Sequence, residues 1–359
     1  MNDKLVKLNI PFAPVAFNAK NQTHLVYEMF IHNESKQELN LKGIKTTSPD
    51  LADVTIQKLE GKGIEENIRY LNNVYRPAEE QNLGMGNVAC VFFWLSFDPS
   101  EVPQDLQHEI AYEDEKGNEY TACQDLAVQK KIPLTIEAPL RGEGWLAGNG
   151  ASNNTGHRRT PLFIDDAPYF AQRYAMDWLQ FGPDGKLFRD TPEKNENWYC
   201  YGADLHAVAD GVVVEIQDGI IENVPLSETM AVEINLQSSP GNLVLLDLGE
   251  DNYALYAHML PGSLLVKAGD KVKSGQLIGK LGNSGNSGAP HLHFHIGHRN
   301  SPLGTHGLPF HVRQFEWAGN AGSTEEMMEI VEKGRSWVGE DTTVQRSMEL
   351  ILDNDVINF

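Results

Sequence analysis

Cysteine is scarce. Cys90, Cys123 and Cys200 are the only three in 359 residues, an odd number with no C-x-x-C spacing. This excludes a disulfide framework and a cysteine zinc site, and the three are expected to be small buried residues. Positive charge is also short: 29 Lys and Arg stand against 50 Asp and Glu, a formal net charge of -21. Attraction to nucleic acid or to an anionic membrane surface needs clustered cations, so neither is expected as a partner. No apolar run nears the roughly twenty residues of a membrane helix. The longest, such as residues 88–95, are strand-sized. A soluble chain with no transmembrane segment is expected. The opening MNDKLVKLNIPF lacks the apolar stretch of a signal peptide, which leaves open a cytoplasmic chain and one supplied without its leader.

What is present is a chain of ordinary globular composition, 41% hydrophobic, with 32 Gly and 18 Pro spread throughout. That spread favours many turns between short strands, and the length suits two or three domains. Mainly β structure is expected. Short β segments at residues 24–31, 37–46, 52–59 and 88–97, with a hairpin at Lys116-Gly117-Asn118, predict an immunoglobulin-like β-sandwich over residues 1–136. Residues 88–97 are apolar on both faces, as in a central strand. His24, His32 and His108 have no ligand spacing, and His108-Glu109 lacks the second His of a zincin helix. The first domain is therefore expected to contribute no catalytic group. Residues 138–154, rich in Gly, Asn and Ser, read as the passage to a second domain at residues 137–311. A C-terminal extension, 312–359, follows. It holds a helix opening on the capping-box sequence Ser323-Thr324-Glu325-Glu326 and stopping at Gly334, and ends in an added edge strand over residues 348–359. The stripe of Met327, Ile330 and Val331 is read as packing.

The densest chemistry lies at residues 281–298, LGNSGNSGAPHLHFHIGH. Pro290 suits the start of a strand, so the Gly/Asn/Ser run before it reads as a loop. With a strand beginning at His291, alternation puts His291, His293 and His295 on one face and Leu292, Phe294 and Ile296 on the other. Three imidazoles on one short face suit Zn²⁺ and would be wasteful in an apolar core. Residues 172–178 alternate as well, putting Asp177 among apolar neighbours, where a carboxylate needs a cation, a metal or several donors. Residues 201–216, 242–248 and 253–259 read as buried strands, the last with His258 on it. Residues 266–281 form a strand pair with glycines at the bends.

Asp177, the Tyr256-Ala257-His258 element and His291-Leu292-His293-Phe294 together resemble the lysostaphin-type zinc endopeptidases, whose signature is H-x-x-x-D, then a strand His, then H-x-H. The resemblance spans roughly residues 145–310. It implies a β-sheet peptidase domain of duplicated hybrid-motif, barrel-sandwich type, with Asp177 and His293 as zinc ligands and His258 and His291 flanking the attacking water. It also implies hydrolysis of peptide bonds in bacterial cell-wall peptidoglycan cross-links, and residence in the cell envelope, periplasmic or secreted. One position departs from the signature. Arg173 stands where the motif has its first zinc-binding His, and a guanidinium cannot ligate a metal. A catalytic zinc takes three protein ligands, so His157, in the polar Gly156-His157-Arg158-Arg159 run, is expected to complete the shell, with His206 next in line. His295 would stand behind the ligands. Two rivals remain: a non-catalytic member that binds wall peptide or activates a hydrolase, favoured by Arg173, and a lipoyl-like carrier, for which Lys271 and Lys273 lack an attachment turn.

Overall fold

The computed structural model describes residues 5–51, 54–71 and 82–359. It is mainly β and divides into two compact units, Met1–Ile132 and Pro133–Phe359.

Among the described residues the first unit has two sheets. One runs Val6–Asn9, Gln22–Asn33, Val88–Phe97, Ile68–Tyr70, with Phe17–Ala19 also paired to Gln22–Asn33; the other runs Val54–Leu59, Leu39–Ser48, Asp105–Asp114, Glu119–Ala127. Alternation sends Leu25, Tyr27, Met29 and Ile31 of the first sheet, and Leu39 and Leu41 of the second, into one shared core, which Ile44 joins after a register shift between Leu41 and Gly43 and which Ile110 also enters. That shared core makes the unit a β-sandwich. Val88–Phe97 is flanked on both sides, as its two apolar faces require. The start of the strand expected over residues 52–59 lies outside the described residues. His108 is buried between Thr46 Oγ1 at 3.0 Å and the Tyr27 hydroxyl at 3.2 Å, a satisfied core histidine.

In the second unit the main sheet has eleven strands. Its order is Leu134–Ile136, Phe310–Asn320, Asp355–Asn358, Trp145–Gly148, Met176–Gln180, Leu292–Gly297, Tyr253–Met259, Asn242–Asp247, Gly211–Gln217, Lys271–Val272, with Val344–Glu349 paired to Phe310–Asn320. The middle of this order sets the site, because Met176–Gln180 and Tyr253–Met259 flank Leu292–Gly297 with Asp177 and Ala257 both opposite His293.

Several expectations change here. Residues 138–154 contain the strand Trp145–Gly148, buried throughout, so this stretch is sheet as well as passage. The C-terminal strand Asp355–Asn358 is interior, between Phe310–Asn320 and Trp145–Gly148, and buries Val356 and Ile357 completely; it is no edge strand. The single strand expected over residues 201–216 is two, Asp204–His206 and Gly211–Gln217. The break is fixed by the Tyr256 hydroxyl, which donates to the His206 carbonyl at 3.0 Å and accepts from the Val208 N–H at 2.9 Å. Gly269 and Gly275 turn the chain at φ 91 and 78, which glycine alone adopts without strain. Cys90 and Cys200 are buried, but Cys123 is exposed, because it points to the outer face of its strand while its neighbour Ala122 takes the inner one. The helix Thr324–Lys333 has its capping box at Ser323 and Glu326 and ends on Gly334 in the left-handed region. Among the described residues no helix is long and apolar enough to cross a membrane.

Candidate metal centre

His157, Asp177 and His293 each present one ligating atom, and these atoms lie within 4.8 Å of one another. Two of these side chains come from adjacent strands in direct register, which places the Asp177 Oδ1 at 2.9 Å from His293 Nδ1. The third arrives from outside the sheet. After Trp145–Gly148 the chain turns through residues 149–155 into the one-turn helix Gly156–Arg159, capped by the Thr155 side chain. The His157 ring reaches back over the strand ends, with Nε2 at 3.3 Å from Asp177 Oδ2.

Hydrogen-bond direction decides which nitrogens are available. His157 Nδ1 faces the Asn149 carbonyl at 2.7 Å, so it carries the proton and Nε2 keeps its lone pair toward Asp177. His295 Nε2 faces the Pro302 carbonyl at 3.1 Å and therefore donates; its Nδ1 then accepts from His293 Nε2 at 3.0 Å. His293 is left with its Nδ1 lone pair toward Asp177. The residues fit a zinc ion: two imidazole lone pairs and a carboxylate converge, and each imidazole has its other nitrogen held by an acceptor. Burial pushes His157 down to about 4, so its ring is neutral at pH 7. Burial also works against ionisation of Asp177, but the charge and hydrogen bond of His291 outweigh it and hold the carboxyl well below its usual range.

His258 and His291 stand beside the trio and line the same cavity of about 350 Å³. Their ring centroids are 4.7 Å apart. His291 lies one residue before the strand Leu292–Gly297, not inside it; its N–H bonds to the Gly282 carbonyl, and Nδ1 faces the Ala289 carbonyl at 2.8 Å. Its Nε2 is 3.3 Å from Asp177 Oδ1. Burial lowers its pKa, and the Asp177 charge and hydrogen bond more than reverse that, leaving it raised. His258 is driven the other way, well below the usual imidazole range, by burial and by the neighbouring His291 and His293. It sits at φ 60, uncommon for a residue with a Cβ, and its Nδ1 faces the Ser284 carbonyl at 2.8 Å.

Arg173 is buried, donates to the Gly307 carbonyl at 3.2 Å and lies near the rings of Phe170 and Tyr174. It does not line the cavity. His206 is on another sheet, facing the Gly275 carbonyl, and is not brought to the trio. Lys273 pairs with Asp210 at 2.6 Å. The sequence reading missed the supports: the carbonyls of Asn149 and Ser284, and Asn223, whose buried amide donates to the carbonyls of Asn283, Gly285 and Ser287 and pins the loop before His291. The Asn and Ser density of that loop is a signal that could have pointed to Ser284.

The model of peptidase family M23 matches residues 199–304, so the chain carries a lysostaphin-type M23 domain over that span. His258, His291 and His293 lie within the match; His157 and Asp177 precede it. Among proteins of similar sequence, an uncharacterized metalloprotease of Buchnera aphidicola is 28% identical over 173 residues, 47% of this chain and 41% of that protein. The peptidoglycan DD-endopeptidase ShyA of Vibrio cholerae is 40% identical over 63 residues, 18% of this chain and 14% of that protein. The chain thus spans less than half the length of either relative. Among solved structures, the catalytic domain of lysostaphin from Staphylococcus simulans aligns at 27% identity and a TM-score of 0.20, covering 34% of this chain and 82% of that one.

Proposed function

We propose that this chain is a zinc-dependent metallo-endopeptidase that hydrolyses peptide bonds, its substrate the peptide cross-links of bacterial peptidoglycan. The observation that carries the reading is the convergence of His157, Asp177 and His293 within 4.8 Å, with two further imidazoles on the same cavity. Zinc, when bound, supplies Lewis acidity toward the scissile carbonyl and acidifies water. The side chains handle the protons. His258, neutral and protonated on Nδ1, offers its Nε2 lone pair as the base that takes a proton from the attacking water. His291, whose charged form is favoured by Asp177, offers an Nε2–H to the leaving amine. The wall substrate and an envelope location draw on the names of the matched relatives, a metalloprotease and a peptidoglycan endopeptidase. Residues 137–311 hold the chemistry in this reading and 1–136 contribute no catalytic group, while the expected extension, 312–359, completes the same sheet through Phe310–Asn320 and Asp355–Asn358.

Zinc content and cleavage of a glycine-rich cross-linked peptide, measured on the same preparations, test this. His293→Ala and His157→Ala should lose metal and activity together, since two ligands seldom retain zinc against water. His291→Ala should abolish cleavage and keep most of the metal. Full zinc occupancy in His157→Ala would remove it from the shell, and a wild type that stays metal-free after reconstitution would favour the non-catalytic binding module.

A further inference from the structure

We propose that the helix Thr324–Lys333 walls a subsite beside the metal centre that takes a substrate side chain with an aliphatic stem and a terminal ammonium, the ammonium meeting Glu332. The proposal rests on the peptidase reading. A cavity of about 590 Å³ is lined by Asp177 and His291 together with Leu179, Leu226, Val331 and Glu332. A group bound there is continuous with the proposed chemistry. A second cavity of about 290 Å³ shares Val331 and Glu332 and extends along Met327 and Met328. The shared lining follows from the helix, because Met327 and Val331, and Met328 and Glu332, are pairs four residues apart on adjoining strips, while Ile330 is buried at 2% exposure and anchors the turn.

Charge selects the occupant. Among the described residues no Lys or Arg lines these two cavities or the metal cavity, and their acids are Asp177, Asp353 and Glu332. Asp177 belongs to the metal trio, and Asp353 accepts from the Gly150 N–H at 2.8 Å. The Glu332 carboxylate has no ion pair or side-chain hydrogen bond among the described residues, and its helix neighbour Lys333 bridges to Glu329 instead. Leu179, Leu226 and Val331 can cover methylenes while a carboxylate meets an ammonium at their end, the way a long cationic side chain divides between apolar surface and a charged partner. An acidic side chain would be repelled, and a purely apolar one would gain nothing from Glu332.

The test uses the full zinc-loaded chain and labelled, N-acetylated oligoglycine peptides carrying one lysine at each position in turn, each beside its ε-acetyl-lysine counterpart. At one position kcat/KM should favour the lysine peptide by about threefold to fivefold, the reach of a partly exposed ion pair. Glu332→Gln should bring that ratio to about one, and Glu332→Lys should invert it. Equal rates for both peptides at every position, or a preference that survives Glu332→Gln, would overturn the subsite. Fluorescence anisotropy with the metal-free chain separates the two readings. A lysine preference in binding that Glu332→Gln removes, without cleavage by the zinc-loaded protein, keeps the subsite and sinks the peptidase; cleavage without any preference does the reverse.

Discussion

His295 continues the alternation of His291 and His293 by one step, and hydrogen-bond direction gives it a task. Because the Pro302 carbonyl can only accept, the proton on His295 sits on Nε2, and its Nδ1 must accept from His293. The His293 tautomer is thereby set with its lone pair on the nitrogen beside Asp177. Losing such a support typically costs about 10- to 100-fold in metal affinity. His295→Ala should therefore bind zinc about that much more weakly, read by competition with a chelating dye, with all three proposed ligands still in place; an unchanged affinity would make His295 a packing residue. Asp177, His258, His291 and His293 were legible in the sequence because each sits on or beside an alternating strand, and His157 followed from elimination. What spacing could not supply was the route, since His157 enters from a one-turn helix held by Asn149 and not from the strand that carries Asp177. Arg173 was legible as a non-ligand, but its contact with the Gly307 backbone depends on a segment 134 positions away.

At the scale of elements, the helix Thr324–Lys333 was the easiest to read, because its start and stop are written in local chemistry. Ser323 Oγ accepts from the Glu326 N–H at 3.3 Å, and Glu326 Oε2 accepts from the Ser323 N–H at 2.8 Å. Replacing Ser323 by Ala should cost about 1 kcal/mol of local stability. Amide exchange in residues 327–333 should quicken by roughly fivefold as a result, and exchange no faster than wild type would show that tertiary contacts alone hold the helix. Strands set by distant partners were harder. Nothing near Asp355–Asn358 announces that Phe310–Asn320 and Trp145–Gly148 will enclose it, and the break after His206 depends on the hydroxyl of Tyr256, far along the chain. Alternation reports which residues face together. It does not report what lies on either side.

For the whole molecule, the division into Met1–Ile132 and Pro133–Phe359 puts every residue of the proposed metal centre in the second unit, so a chelator should act on that unit and spare the amides of the first. In the first unit the relevant group is His108, buried and pushed down to about 4 mainly by desolvation. Between its unfolded value near 6.5 and about 4, the unfolded chain binds a proton that the folded one refuses. The contribution of the neutral ring to stability is thus complete above about pH 6.5, declines as pH falls, and is exhausted below about 4, on the order of 3 kcal/mol across that window. His32, also lowered by burial, acts with the same sign. Hydrogen exchange resolved by peptide gives the readout. Amides of Asp105–Asp114 and Gln22–Asn33 should lose protection, corrected for intrinsic exchange, as pH drops from about 6.5 to about 4, and His108→Gln should flatten that slope because its amide does not titrate. Zinc removal at constant pH should leave these strands alone and speed exchange in Leu292–Gly297, since a ligand bound only by the folded state stabilises the unit that holds it. An acid slope unchanged in His108→Gln would assign the titration elsewhere in the sandwich.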